Sequence, residues 1–255
     1  MSKGTAVITG AANGIGQAYA QRLAADGFDI AVADVVDAAA TRQLVEAEGR
    51  QFFSAIVDVT SPESTQKFAT EVAANMPPVA ALVNNAGIYP WKSFEDTDYE
   101  TWKKVISVNL DGAFLMSKAF VPVMKNNHFG RIVNVASTTF WLNAPEMTAY
   151  IASKGGVIGF TRALASEVGA FGINVNAIAP GLTNTKTMHG INADIFEYLP
   201  KQQAIPRMIE PQDIVGVVSF LCSTDSGFVT GQTIAADGGQ VRIYYARWKE
   251  EQMRK

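Results

Sequence analysis

The sequence predicts an α/β fold, a single domain in which a doubly wound parallel sheet carries helices on both faces. Two observations lead there. Seven short apolar runs rich in Val, Ile and Ala alternate with longer segments of helical periodicity, and no break in composition or Gly/Ser/Pro linker divides the 255 residues. Such alternation implies right-handed crossovers, and therefore strands that lie parallel and are buried from both sides. A chain of this length is long for one domain, yet α/β folds of this size commonly hold a single sizeable core.

The runs that read as strands fall at 5–9, 28–33, 52–57, 79–83, 131–136, 173–178 and 232–236, each too short for an isolated helix. Helical periodicity falls near 15–26, 38–48, 63–75, 98–125, 149–169 and 211–222. Three stretches interrupt the pattern. Residues 87–97 and 180–207 are long connections on the carboxyl side of strands, where ligands of open α/β sheets bind. The third, 240–255, mixes aromatics with charges, and a subunit contact and a frayed helical end fit it about equally.

Composition narrows the classes. Hydrophobic residues make up 48% and charged ones 18%, as suits a globular protein, and a net charge of -3 gives no electrostatic reason to expect nucleic acid or an anionic membrane. No run approaches the roughly 18 apolar residues of a membrane span, and the amino terminus enters a strand at once, so a cytoplasmic protein is expected. Cys222 is the only cysteine, which precludes an intrachain disulfide, and its apolar surroundings IVGVVSFLC read as core. His128 and His189 are far apart in polar loops, and no metal site is expected.

The first strand leads through TGAANGIG into a helix, placing Gly10, Asn13, Gly14, Ile15 and Gly16 at a strand-to-helix turn. Glycines there permit a tight turn and a close backbone approach to a pyrophosphate at the helix amino terminus. Eighteen residues after Gly16, Asp34 ends the second strand, where its carboxylate can accept from both hydroxyls of an adenosine ribose and would repel a 2'-phosphate. Neither Val35 nor Val36 supplies a cation for such a phosphate, so NAD is expected over NADP, against the alternative of an exposed capping Asp. Asp58 and Val59 follow the third strand in the place for an adenine contact, although Asp58 could equally form a turn. After the fourth strand Asn84, Asn85, Ala86 and Gly87 are small enough to pass beside a flat ring.

The stretch 131–154 carries the reactive groups. Ser137 ends a strand, Tyr150 lies thirteen residues on, and Lys154 follows at the i, i+4 spacing that puts an ammonium and a phenol on one helical face. A phenol titrates near 10, and a neighbouring cation is expected to lower it toward use as an acid and base. Asn109 lies in the apolar helical run VISVNLDGAF, where a buried amide needs a partner or distorts the helix, and there it could hold a water linked to Lys154.

Taken in order, TGAANGIG, NNAG, Asn109, Ser137, YIASK and Pro180-Gly181 closely resemble the short-chain dehydrogenase/reductase family over residues 4–239. The resemblance implies a Rossmann fold with a seven-stranded sheet, a nicotinamide cofactor and a catalytic set of Asn109, Ser137, Tyr150 and Lys154. It also implies that Pro180, Gly181, Thr183 and Thr185 border the nicotinamide, that 182–207 forms a substrate lid, and that the protein is a homotetramer. The runs NNAGIYP, STTFWL and GFTRALAS are similar to NAD-dependent secondary-alcohol dehydrogenases acting on 1-phenylethanol, and PEMTAYIASKGGVIGFTRALA is similar to pyridoxal 4-dehydrogenases.

Hydride exchange between NAD and a secondary alcohol is the first expectation, with Tyr150 exchanging the hydroxyl proton and Ser137 holding the oxygen. Pocket walls are expected from Tyr89, Pro90, Trp91, Thr139, Phe140, Trp141, Met147, Leu182, Met188 and Phe196, an apolar and aromatic set that favours an aryl or hydrophobic pair such as 1-phenylethanol and acetophenone. About half of these aromatics are expected to serve the core or subunit contacts instead. The alternatives are a pyridoxal 4-dehydrogenase-like activity, reduction of a 3-oxoacyl thioester, which would prefer NADPH and a basic docking patch, and an NAD-binding scaffold or regulator without turnover.

Overall fold

The computed structural model describes residues 2–185 and 194–242, apart from the side chains of Phe196 and Arg242. Met188, His189 and the tail beyond 242 lie outside the described residues.

The strands are β1 (Thr5–Thr9), β2 (Asp29–Asp34), β3 (Phe52–Ile56), β4 (Val79–Asn84), β5 (Gly130–Val135), β6 (Ile173–Pro180) and β7 (Thr233–Ala236). They form one sheet in the order β3-β2-β1-β4-β5-β6-β7, with every pairing parallel. Every residue of β1, β4, β5 and β6 is buried, so these strands are dominated by apolar residues, and polar side chains among them, Arg131, Asn134, Asn174 and Asn176, are buried with hydrogen-bond partners. The edge strands β3 and β7 are only half-covered.

The helices are α1 (Gly14–Ala25), α2 (Ala39–Ala47), α3 (Pro62–Asn75), α4 (Tyr99–Ile106), α5 (Gly112–Asn126), α6 (Thr139–Leu142), α7 (Thr148–Val168), α8 (Asp194–Tyr198) and α9 (Pro211–Cys222). On one face Tyr19 and Leu23 of α1, Val45 of α2, and Ile214, Val218 and Leu221 of α9 pack with Ile8, Ile30 and Val32. On the other, Phe68 of α3, Met116 and Phe120 of α5 and Ala165 of α7 pack with Val7, Leu82, Ile132 and Val175. Burying each large side chain contributes about 2 kcal/mol, so the two layers clamp the strands and fix the ends that carry the site. This is a doubly wound Rossmann fold, a single domain.

Three elements depart from the predicted periodicity, the first being α8, a five-residue helix inside the predicted connection 180–207. The segment 98–125 is not one helix: a π-helical turn, Ser107–Asp111, separates α4 from α5. Asn109 sits in that turn, and the extra residue accommodates a buried amide whose partners lie on another segment. The short helix α6 was not expected, because four residues carry no periodicity to detect, and Asn143 ends it in the left-handed conformation.

Candidate active site

Between β1 and β4 the strand order reverses, and the chain leaves the two carboxyl ends in opposite directions. A cleft of about 1640 Å³ opens there and runs over the ends of β1, β2, β4, β5 and β6.

The glycine turn forms its floor. Gly10 has a φ of +63°, and a Cβ on it would lie 2.8 Å from Ala86 Cα. A Cβ on Gly16 would run into the Gly10 carbonyl and stand 2.6 Å from Asn85 Nδ2. Those contacts exist because the ends of β1 and β4 are knit together: Asn85 Nδ2 donates to Thr9 O (3.1 Å) and Gly10 O (2.8 Å), while the Thr9 hydroxyl accepts from the amides of Asn85 and Ala86, both at 2.9 Å. Asp34, at the end of β2, accepts the Ala12 N–H on Oδ2 at 2.8 Å and so fastens the turn while facing the cleft. A backbone cradle with no room for side chains, beside a carboxylate, fits a dinucleotide. Asn13, Gly14, Ile15, Val35, Val59, Gly87, Pro180, Gly181, Thr183 and Thr185 also line the cleft. Asp58 lines it too, but its Oδ1 accepts from Thr60 N (2.9 Å) and the Thr60 hydroxyl (2.7 Å), so it forms a turn as well as a wall.

Ser137, Tyr150 and Lys154 meet over the end of β5. Ser137 follows that strand, and Tyr150 and Lys154 project from adjacent turns of α7 into the same cleft. Ser137 Oγ accepts from Thr139 N (3.3 Å) and from the Thr139 hydroxyl (2.9 Å). Lys154 is buried, and its Nζ donates to Val135 O at 2.6 Å. Asn109 lies beneath the cleft wall: Oδ1 accepts from Ile88 N (2.8 Å), and Nδ2 donates to Ile88 O (2.9 Å) and Ser153 Oγ (3.0 Å). A Cβ on Gly87 would stand 3.3 Å from Asn109 Oδ1 and 3.6 Å from Lys154 Nζ, so both side chains converge on that glycine. Both amide protons of Asn109 are engaged, by Ile88 O and Ser153 Oγ, and Asn109 and Lys154 share Gly87 as a neighbour.

The electrostatics differ from the simple expectation. Burial pushes the Tyr150 phenol up to about 12, opposed by a hydrogen bond with Ser137 and reinforced by Tyr89, whose ring meets it edge-on at 6.2 Å. Burial also lowers Lys154 to about 8. The predicted lowering of the phenol by Lys154 is overturned: the ammonium sits 5.6 Å from the centre of the Tyr150 ring, turned toward Val135 O, and desolvation outweighs it.

Of the predicted pocket residues, Tyr89, Trp91, Thr139, Trp141, Met147 and Leu182 line the cleft. Phe140 and Pro90 do not. The Phe140 ring packs on α7, within 3.0 Å of where a Gly155 Cβ would stand, and meets the Trp141 ring edge-on at 5.3 Å, so it backs Trp141 without itself lining the cleft. Sequence reasoning missed Ile88, Leu142, Ala144 and Pro145, and Ile195, Tyr198, Leu199 and Gln202, which also form walls. Their only signal was membership of long connections at the carboxyl ends of strands. Gln240 and Val241, where the tail begins, line the cleft as well.

A family model described as Enoyl-(Acyl carrier protein) reductase matches residues 10–240. Among curated proteins, nodulation protein G of Azospirillum brasilense is 39% identical over 94% of this chain and 98% of its own length. The (2S)-[(R)-hydroxy(phenyl)methyl]succinyl-CoA dehydrogenase subunit BbsD of Thauera aromatica is 36% identical over 92% of this chain and 95% of its own. Among solved structures, one assigned to a short-chain alcohol dehydrogenase of Sinorhizobium meliloti 1021 superposes with a TM-score of 0.91 at 37% identity, covering 94% of this chain and 97% of that one.

Proposed function

The chain belongs to the short-chain dehydrogenase/reductase family, and from that premise we propose that it interconverts a secondary alcohol and a ketone with NAD, acting on an aryl or otherwise hydrophobic pair such as 1-phenylethanol and acetophenone. The observation that carries the reading is the meeting of Ser137, Tyr150 and Lys154 beside a glycine cradle closed by Asp34. When bound, NAD accepts the hydride of the carbinol carbon and returns it in the reverse direction. Tyr150 holds the proton that the oxygen gains or loses: with its pKa near 12 the phenol is protonated at neutral pH and can give that proton to a developing alkoxide, a far stronger base. Ser137 donates to the same oxygen and steadies its charge as the carbonyl forms or disappears. Lys154 keeps a positive charge in the wall of the same cleft, 5.6 Å from the Tyr150 ring centre, where it can offset negative charge on the reacting oxygen. Asn109 positions this group by clasping Ile88 and Ser153.

Asp34 supports NAD, because a carboxylate at the end of β2 repels a 2'-phosphate. The described side chains expected to hold the substrate, Tyr89, Trp91, Thr139, Trp141, Met147 and Leu182, carry no charge, which supports a neutral, largely apolar reacting group, while Glu100, Lys103 and Lys104 also line the cleft. The phenyl-bearing carbinol in the name of the Thauera relative supports an aryl substrate. The CoA in that same name favours a second reading, oxidation or reduction of an acyl thioester, against which Asp34 weighs because NADPH would suit that chemistry. The proposal includes a lid over the cleft from 182–207 and a cytoplasmic homotetramer, whose assembly light scattering would read. Tyr150→Phe tests the core of the reading: NADH binding should stay within about threefold while turnover falls roughly 10²–10⁴-fold. Turnover near that of the parent would remove Tyr150 from its role.

A further inference from the structure

We propose that Thr139 is a positioning residue that fixes the Ser137 hydroxyl as a donor toward the reacting oxygen, a role that deepens the reading above and rests on it. A serine hydroxyl has one proton to give and two lone pairs to receive with. Around Ser137 Oγ both lone pairs are addressed by one residue, through the Thr139 hydroxyl at 2.9 Å and the Thr139 amide at 3.3 Å. The amide can only donate, so one lone pair is committed outright. The oxygen of a bound ketone can only accept, so Ser137 must spend its proton there, and the hydroxyl pair is then left with a single sense, Thr139 giving and Ser137 receiving. A chain directed from Thr139 through Ser137 to the substrate oxygen also strengthens each of its links.

The local structure holds this arrangement still. Thr138, between the two residues, donates through both its amide and its hydroxyl to Pro180 O, each at 3.1 Å, which pins the turn to the end of β6. Thr139 then opens α6, and its amide closes the i to i+2 turn on the Ser137 side chain. Ser137 is buried, so water does not readily replace a lost partner. The hydrogen bond from Ser137 already pulls the Tyr150 phenol downward, the sense expected of a serine that donates. With the Thr139 hydroxyl gone, Ser137 would be free to turn a lone pair toward the substrate oxygen for part of the time. A residue that merely lined the pocket would not have this effect.

The test compares Thr139→Val, Thr139→Ser and Ser137→Ala with the parent in oxidation of 1-phenylethanol across pH, with thermal unfolding as a check on folding. Thr139→Val should lower kcat about 5- to 30-fold while changing KM less than about twofold. Its kcat/KM profile, which reports the site before substrate enters, where Ser137 donates to the phenol, should rise at a pH about 0.5 to 1 higher. Thr139→Ser, which restores the hydroxyl without the methyl, should bring kcat to within about threefold of the parent and return the profile. If Ser137→Ala loses turnover but Thr139→Val keeps the parent's kcat and profile, or alters KM alone, the positioning role is overturned and the proposed function stands. If Ser137→Ala and Thr139→Val are both as active as the parent, the function assigned to Ser137 falls and the inference with it.

Discussion

Replacing Lys154 with methionine should make the protein more stable and nearly inactive. Lys154 is 4% exposed, and burial moves its pKa from 10.5 to about 8. At about 1.4 kcal/mol for each pH unit, holding that ammonium inside the fold costs about 3 kcal/mol wherever it is charged in both the folded and unfolded chain, that is, below pH 8. Between about 8 and 10.5 the folded chain binds fewer protons than the unfolded one, so the parent gains stability as pH rises, and above that window the cost is gone. Methionine fills similar space without charge, but leaves Val135 O without the 2.6 Å bond from Nζ, a loss of about 1 kcal/mol. The net expectation at pH 7 is a gain of about 2 kcal/mol for Lys154→Met, a rise in Tm of roughly 4 °C for a chain of this length, with turnover lowered at least 100-fold. Near pH 10 the gain should shrink to almost nothing. Urea denaturation of both proteins at pH 7 and pH 10, alongside turnover at pH 7, reads all three quantities. A Lys154→Met protein less stable than the parent at pH 7, or a difference that does not change with pH, would refute the claim that a buried, desolvated ammonium sits beside Tyr150.

Asp34→Asn keeps an acceptor for the Ala12 amide, so the turn should hold while the charge disappears. NADP should then gain about tenfold or more in kcat/KM relative to NAD, and an unchanged ratio in steady-state kinetics would place selectivity elsewhere. Gly16→Ala would drive a methyl group into the Gly10 carbonyl and Asn85 Nδ2, so NADH binding measured by fluorescence titration should weaken at least about tenfold and Tm should fall. Binding equal to that of the parent would mean that the turn relaxes around a side chain.

The strands were legible because burial on both faces leaves short runs dominated by Val, Ile and Ala even where Asn134, Asn174 and Asn176 interrupt them, and the structure moves none of the seven predicted runs by more than two residues. The cleft was legible in part, because glycines at a strand-to-helix turn and an Asp at the next strand end have few other uses together. Asn109 announced a distortion through its polarity amid apolar neighbours, but not its form. A π turn depends on where Ile88 and Ser153 lie, and no local pattern encodes that. The phenol of Tyr150 was misjudged for the same reason. The i, i+4 spacing brings Lys154 close, whereas the pull of Val135 O and the desolvation of both groups emerge only from packing. The substrate walls were least legible, since Phe140 and Trp141 are adjacent and chemically alike, and only the turn of α6 sends one to the cleft and the other onto α7.

The most direct measurement is the initial rate of NADH formation by purified protein given NAD, or NADP, with 1-phenylethanol, pyridoxine, a polyol and a 3-hydroxyacyl thioester in parallel. The highest kcat/KM is expected for the aryl alcohol with NAD, and at least about tenfold less with NADP. Preference for the thioester with NADP, or no turnover of any alcohol while NADH still binds, would contradict that expectation.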